Sequence, residues 1–341
     1  MRGLMQESTS ALNIGGIVRL AKKIIVGTAI FEGGGALLLS IRFIPQYGFF
    51  RGVFYSVFHA ISAFCNAGFD LMGHEQPYNS LSGYYDDWLV NLVIMSLIII
   101  GGVGFIVWDD LSRNKLHFRK YLLQTKIVLI LTTILVFGGG AAFYFLEKDN
   151  LMADMGLGGK ILTSLFSSVT ARTAGFNTID TGALTDGSKF LTIILMFIGG
   201  SPGSTAGGIK TTTLAVLLLY VHASIQRTYG VNIMGRRLED DVIKQASSVF
   251  VINLFLALTV SLIIMGIQPL PLSDTLFETF SAIGTAGMTT GVTRDLVPVS
   301  KFLVAVLMYC GRIGSMSFAL AFTQQKRFIR VQNPVERINV G

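Results

Sequence analysis

Residues 246–272 run for 27 positions without one charged side chain, and no other feature constrains the chain as strongly. Residues 88–108 do the same over 21 positions and 127–146 over 20, while 24–41 is interrupted only by Glu32. A helix needs ~20 apolar residues to cross a hydrocarbon core about 30 Å thick, so each run is long enough to span. A buried soluble helix has no use for such lengths. Charged residues are 14% of the chain, against ~25% in ordinary soluble domains. The sequence predicts an all-α polytopic membrane protein.

The net charge of +7 would suggest nucleic acid on a soluble domain, but here position matters more than the sum. Lys and Arg number four in 1–23, five in 109–126, four in 224–246 and four in 325–341. The six alternate connections hold eight together, and Lys210 and Arg312 fall inside apolar stretches. The 17-to-8 bias predicts cytoplasmic termini and basic flanks that attract anionic lipid, with no nucleic-acid partner. Cys65 and Cys310 lie far apart, and the four histidines are scattered without metal-ligand spacing. No signal-peptide core opens the chain. No enzyme chemistry is visible.

Three stretches repeat: "FHAISAFCNAGFD" at 58–70, "FSSVTARTAGFN" at 166–177 and "FETFSAIGTAGMT" at 277–289. The first and third share Phe-x-x-x-Ser-Ala upstream of the glycine; the middle one does not. About twelve moderately apolar residues precede each glycine, too few to cross a bilayer. Each copy reads as a re-entrant half-helix and loop between two full spans, with spans expected near 21–43, 88–108, 125–146, 189–223, 247–268 and 301–323. Non-helical backbone at membrane depth persists only against protein or a watery cavity. Repeated loops facing one axis would line a narrow path with carbonyls, glycine permitting the required φ and the half-helix C-termini favouring a cation. The plainer use of Ala-Gly is close helix packing; three copies with equal flanks favour the path.

The segment 189–223 is apolar for 35 residues, about 52 Å as a continuous helix. "GGSPGSTAGG" at 199–208 cannot stay helical, so the span must break inside the membrane. "GSTAGGIKT" begins like a phosphate loop, but Ile209 holds the lysine position and no strand precedes it. Arg312 lies ten residues into the last expected span, too central to reach either surface, and needs carbonyl or carboxylate partners. Glu32 and Glu278 are candidates, though Glu278 reads better as an acidic cap at the start of its half-helix. Asp70, Asp180 and Asp295 fall on the outer side and either concentrate cations or are ordinary loop charges.

"HAISAFCNAGF", "TARTAGFNTID", "GSPGSTAGGIKTTT", "FETFSAIGTAGM" and "YCGRIGSMSF" together resemble the Trk/Ktr/HKT superfamily of potassium transporters, most closely the bacterial Ktr membrane subunit. The resemblance covers essentially the whole chain. It implies an ion filter at Asn66, Ala67, Gly68 and Phe69, at Thr173, Ala174, Gly175 and Phe176, and at Thr285, Ala286, Gly287 and Met288. Met288 departs from the phenylalanines of the other copies. It also implies a gate formed by Gly199, Gly200, Ser201, Pro202, Gly203, Ser204, Thr205, Ala206, Gly207, Gly208 and Lys210, with Arg312 associated. Potassium would be the transported ion, with sodium as a second candidate. A homodimer on a cytosolic nucleotide-binding regulatory ring, in a bacterial cell membrane, is implied as well.

The family has four units and this chain shows three, so alignment of the opening places residue 1 just after the family's first unit. The expected divisions are a cytoplasmic connection at 1–18, units at 19–110, 111–226 and 227–324, and a cytoplasmic tail at 325–341. Two other readings stand beside this one: a secondary transporter with discontinuous helices, and a non-conducting truncated fragment.

Overall fold

The structure, a computed structural model, describes residues 17–74, 78–115, 117–228 and 230–314. The expected connection before residue 17, the far part of the last span at 315–323 and the tail at 325–341 lie outside the described residues. The described chain is mostly helical. Its helices are α1 (Ile17–Tyr47), α2 (Phe49–Phe64), α3 (Trp88–Val103), α4 (Phe105–Asn114), α5 (Leu123–Glu147), α6 (Leu157–Thr170) and α7 (Asp186–Phe197), then α8 (Thr211–Ile225), α9 (Asp240–Ile267), α10 (Leu272–Gly284) and α11 (Pro298–Ile313). One short hairpin, β1 (Asn232–Ile233) with β2 (Arg236–Arg237), joins α8 to α9. Its Met234-Gly235 turn has positive φ at both positions, as a two-residue hairpin requires.

Each unit repeats one order of elements. A long helix (α1, α5, α9) is followed by a short one (α2, α6, α10), a loop, and a second span. The long helices have 31, 25 and 28 residues. Their outward side chains are apolar and exposed, as at Leu37, Phe137 and Leu262, which suits lipid rather than water. The short helices have 16, 14 and 13 residues and bury serines and threonines together with apolar groups. Such a helix cannot live in lipid. It is covered by protein on its polar side.

The second spans depart from expectation. The stretch 88–108 is not one helix: α3 ends at Val103, and α4 leaves at 94°. Gly104, with φ 96°, makes the corner. The span at 189–223 breaks as expected, between Phe197 and Thr211. Helix α11 ends at Gly314, which has the same φ of 96° as Gly104. Gly101 and Gly311 lie three residues before these two glycines. A Cβ on Gly101 would sit 2.0 Å from the Phe64 carbonyl oxygen, and one on Gly311 2.1 Å from that of Ile283. Both carbonyls belong to the last turn of a half-helix, so in two units the second span lays bare backbone against the half-helix end. The continuous-span reading of 88–108 missed this because an apolar run reports only hydrophobicity. The Gly101-Gly102-Val103-Gly104 sequence was the available signal.

Capping and charge hold the rest in place. Asp87 caps α3 by accepting from Val90 N, and its other oxygen pairs with Arg42 at 2.7 Å. The buried Glu147, at the end of α5, accepts from the backbone N and the hydroxyl of Thr185 at 2.9 and 2.7 Å. Lys189 on α7 pairs with Asp274 in the first turn of α10 at 2.9 Å. Helices α1 and α2 meet where a Cβ on Gly52 would lie 2.6 Å from the Ile44 Cα. Backbone cannot yield as a rotamer does, so Gly52→Val should destabilise the protein by ~1–3 kcal/mol. A lower melting temperature of the detergent-purified variant checks this; an unchanged one would show that α1 and α2 separate freely.

Candidate ion filter and intramembrane loop

The three half-helices end in loops with one backbone pattern. Two residues before the repeated glycine, φ is positive: 50° at Asn66, 76° at Thr173 and 53° at Thr285. It is positive again at Gly68 (70°), Gly175 (91°) and Gly287 (75°), and at none of the alanines between. Alternating hand along a chain turns successive carbonyls toward one side, and glycine adopts such φ without strain. The non-glycine residues do so at ~1–2 kcal/mol each, which persists only where surroundings over-determine the conformation.

Those surroundings repeat as well. Ala67, Ala174 and Ala286 donate their backbone N–H to Ser62, Thr170 and Ser281 O, each at 2.9 Å. The same three residues donate their hydroxyls beyond the glycine: Ser62 to Phe69 O (2.7 Å), Thr170 to Phe176 O (2.6 Å) and Ser281 to Met288 O (2.5 Å). Thr170 therefore supplies in the middle loop what the sequence lacked as Phe-x-x-x-Ser-Ala. The middle turn is one residue shorter, which hid the match. Met288 is buried like Phe176, whereas Phe69 is 69% exposed.

The loops stack in sequence order around a ring. A Cβ on Gly68 would lie 2.3 Å from Ala174 O, and one on Gly175 2.6 Å from Ala286 O. One on Gly287 would meet nothing within 4 Å, so among the described residues the ring is open beyond the third loop. Asn66 Oδ1 and Thr173 Oγ1 are buried without a hydrogen-bond partner. Buried oxygens in that condition call for a partner, and a dehydrated cation is one. No cluster of His, Cys, Asp and Glu able to hold a resident metal exists among the described residues.

Hydrogen bonds lace the outer sides of neighbouring loops. Leu81 N donates to Asn177 O at 2.8 Å, and Asn177 N to Ser80 Oγ at 3.1 Å. Thr181 Oγ1 donates to Thr289 O at 2.5 Å. Glu278 is neither a cap nor a partner of Arg312. It lies midway along α10, buried, and accepts from the Thr289 hydroxyl, the Thr293 hydroxyl (2.5 Å) and Thr290 N (3.2 Å). Asp274 holds the first-turn position instead. Asp70 and Asp180 accept from Met72 N and Gly182 N within their own turns, and Asp295 is exposed. The buried His59, overlooked in the sequence, donates through Nδ1 to Tyr55 O and accepts from Leu71 N at Nε2, fixing the segment after Gly68.

Residues 198–210 cross beneath these loops. A single bridge, Ile198 with Ile209, closes the base, and Thr211 N donates to Gly200 O at 3.0 Å. The broken α3–α4 span supplies the other partners. Ser201 N donates to Gly102 O (2.9 Å), Thr205 N to Gly101 O (3.3 Å), and Phe105 N to Gly203 O (2.8 Å). Gly207 lies under the third loop, where a Cβ would come 1.8 Å from Thr285 Oγ1. Arg312 donates from Nη1 to Thr205 O at 2.8 Å, and Lys210 from Nζ to Ala206 O at 2.8 Å. Both cations are held by carbonyls of the loop. Glu32, the other expected carboxylate, lies instead 3.8 Å from the Cys65 thiol. Arg172, counted with the outer connections from sequence, is buried at the C-terminal end of α6, where its charge complements the negative end of the helix dipole.

The family model described as TrkH, cation transport protein, matches residues 4–330. The potassium/sodium uptake protein NtpJ of Enterococcus hirae is 35% identical over 349 residues, covering 100% of this chain and 76% of that protein. Ktr system potassium uptake protein B of Bacillus subtilis is 39% identical over 328 residues, covering 96% and 72%. The crystal structure of the potassium transporter TrkH from Vibrio parahaemolyticus superposes with a TM-score of 0.76 at 18% identity, over 94% of this chain and 69% of that one; at that identity it speaks to the fold. A family match spanning nearly every residue, with relatives this similar across their lengths, places the chain in the TrkH family of cation transport proteins.

Proposed function

We propose that the chain is the ion-translocating subunit of a potassium uptake system. Potassium passes through a filter made by the loops at 66–69, 173–176 and 285–288, and residues 199–208 gate it from below. The observation that carries this reading is the ring itself. Three loops share one alternating backbone, the glycines of the first two each abut the next loop's carbonyl, and a glycine-rich segment passes directly underneath. Backbone carbonyls in such a ring replace an ion's hydration shell. The uptake proteins named above are described for potassium, and one for sodium too, which supports potassium as cargo with sodium as the second candidate.

The gate follows from position and charge. Gly207 is packed under Thr285, and Arg312 and Lys210 sit at the loop on the path of a cation. A cavity of about 310 Å³ beside Gly208, Lys210, Asn253 and Gly311 gives the loop room to withdraw. The charge bias along the sequence supports a multi-pass arrangement in a bacterial cell membrane with both termini cytoplasmic. We place a homodimer on a cytosolic nucleotide-binding ring as its working assembly. Among the described residues the side next to Gly287 is open, and a further loop of the same kind would fit there.

Three measurements test this reading. Gly175→Ala sets a Cβ against Ala286 O at a φ of 91°, and should weaken apparent potassium affinity about tenfold, near 1.4 kcal/mol. Uptake kinetics of the uptake-competent assembly in a potassium-uptake-deficient bacterium report it; a wild-type KM would remove Gly175 from the filter. Arg312→Ala removes one charge-assisted bond on the loop and a positive barrier, so flux should rise by up to about tenfold. Unchanged or lower flux at normal protein levels would make Arg312 merely structural. Finally, the 341-residue chain alone should not support growth on low potassium, and addition of a span–loop–span unit that seats against Gly287 should restore it. Robust rescue by the chain alone would show that three loops suffice.

A further inference from the structure

We infer that Thr205 couples the gate to the filter, by fixing which way the Asn66 side-chain amide points. The inference rests on reading 66–69 as filter and 199–208 as gate, and concerns what joins them.

Every polar group of Thr205 is engaged, each with a different part of the molecule. Its N–H donates to Gly101 O (3.3 Å) and its carbonyl accepts from Arg312 Nη1 (2.8 Å). Its hydroxyl donates to Phe64 O, the last carbonyl of α2, at 3.0 Å, and accepts from Asn66 Nδ2 at 3.0 Å. A hydroxyl has one proton. Because Phe64 O takes it, Asn66 can only donate, so its amide presents nitrogen to Thr205 and leaves Oδ1 free. That oxygen is buried and has no partner. It stands at the place in its loop that Thr173 and Thr285 hold in theirs, two residues before the glycine, and Thr173 Oγ1 is also buried and unpartnered. The gate loop thereby orients an acceptor at the inner end of the filter.

Gly101 makes room for this contact: a Cβ there would lie 3.0 Å from Thr205 Oγ1 and 2.0 Å from Phe64 O. When the loop withdraws, the Thr205 hydroxyl leaves with it. The Asn66 amide is then free to turn its NH₂ toward the ion, and the inner end of the filter loses an acceptor. Opening the gate lowers affinity at the inner position, which favours release toward the cytoplasm. Asn66 is the one side chain of the three equivalent positions whose acceptor and donor are separate atoms, so that turning it exchanges one for the other.

The test compares four forms of the uptake-competent assembly in a potassium-uptake-deficient bacterium, reading KM, Vmax and rubidium-against-potassium preference. Thr205→Val keeps the shape and loses the hydroxyl; it should raise KM by on the order of fivefold and change the rubidium preference. Thr205→Ser keeps the hydroxyl and should recover most of the wild-type KM and preference. Asn66→Ala removes the amide, breaks the link from the filter side, and should reproduce Thr205→Val. The double variant should add nothing to either single one, as expected for two residues acting through one contact. Wild-type KM and preference in Thr205→Val overturn the inference, as do additive effects in the double variant. Should Thr205→Val fail to insert, Asn66→Ala decides alone, by the same readings. Gly175→Ala separates the two levels: if it too leaves affinity unchanged, the filter reading fails, and if it alone acts, only the coupling does.

Discussion

A helix that ends inside hydrocarbon exposes backbone groups that no water can reach, and each costs several kcal/mol if left unpaired. Most of the structure's interior follows from how those ends are matched. Helix α3 stops at Val103, leaving the Gly101 and Gly102 carbonyls without helical partners, while α4 begins with an equally unpartnered N–H on Phe105. The 198–210 loop, itself non-helical at the same depth, supplies Ser201 N, Thr205 N and Gly203 O in return. Two interruptions that would each be prohibitive in lipid satisfy one another. Glycine is required on both sides because these contacts bring backbone against backbone, as between Gly104 and Pro202 O, where a Cβ would lie 2.6 Å away.

The three repeated loops solve the same problem partly with side chains. A half-helix that halts at mid-depth must pair its terminal carbonyls and fix a turn that uses unfavourable φ values. The carbonyls of Ser62, Thr170 and Ser281 accept from the alanine N–H of their own loop, and the hydroxyls of the same residues, six or five positions before each glycine, tie the carbonyl just after it. The loops then brace one another from outside through Ser80, Asn177, Thr181 and Thr289, and Glu278 anchors the third. The geometry presented to an ion is thus set by contacts that never touch it.

Electrostatics takes an unusual form at the 198–210 loop. Arg312 and Lys210 both end on loop carbonyls, and among the described residues neither has a carboxylate within ion-pair distance. Carbonyl dipoles at a membrane-buried loop can hold a cation without cancelling its charge. The pairing of Arg312 with Glu32 or Glu278 was reasonable from sequence, since a buried arginine usually has an acidic partner. It failed because Glu278 lies on the far side of the filter, where three threonine-segment donors claim it, and Glu32 lies beside Cys65.

What the sequence determined by itself was whatever depends on composition along one dimension. Charge-free runs decided the membrane class, the triple small-Gly-bulky stretch decided the repeat, and Gly-Ser-Pro content inside a 35-residue apolar run decided that the span must break. The bend at Gly104 was written in the same alphabet but masked by hydrophobic neighbours. Tertiary structure alone decided the rest: that Gly68 abuts Ala174 O, that Gly207 lies under Thr285, and that Thr205 reaches Asn66 across 139 positions of chain. Those contacts depend on distances between segments far apart in sequence. A repeat can announce that three loops are alike, but only packing sets the order in which they close on one another.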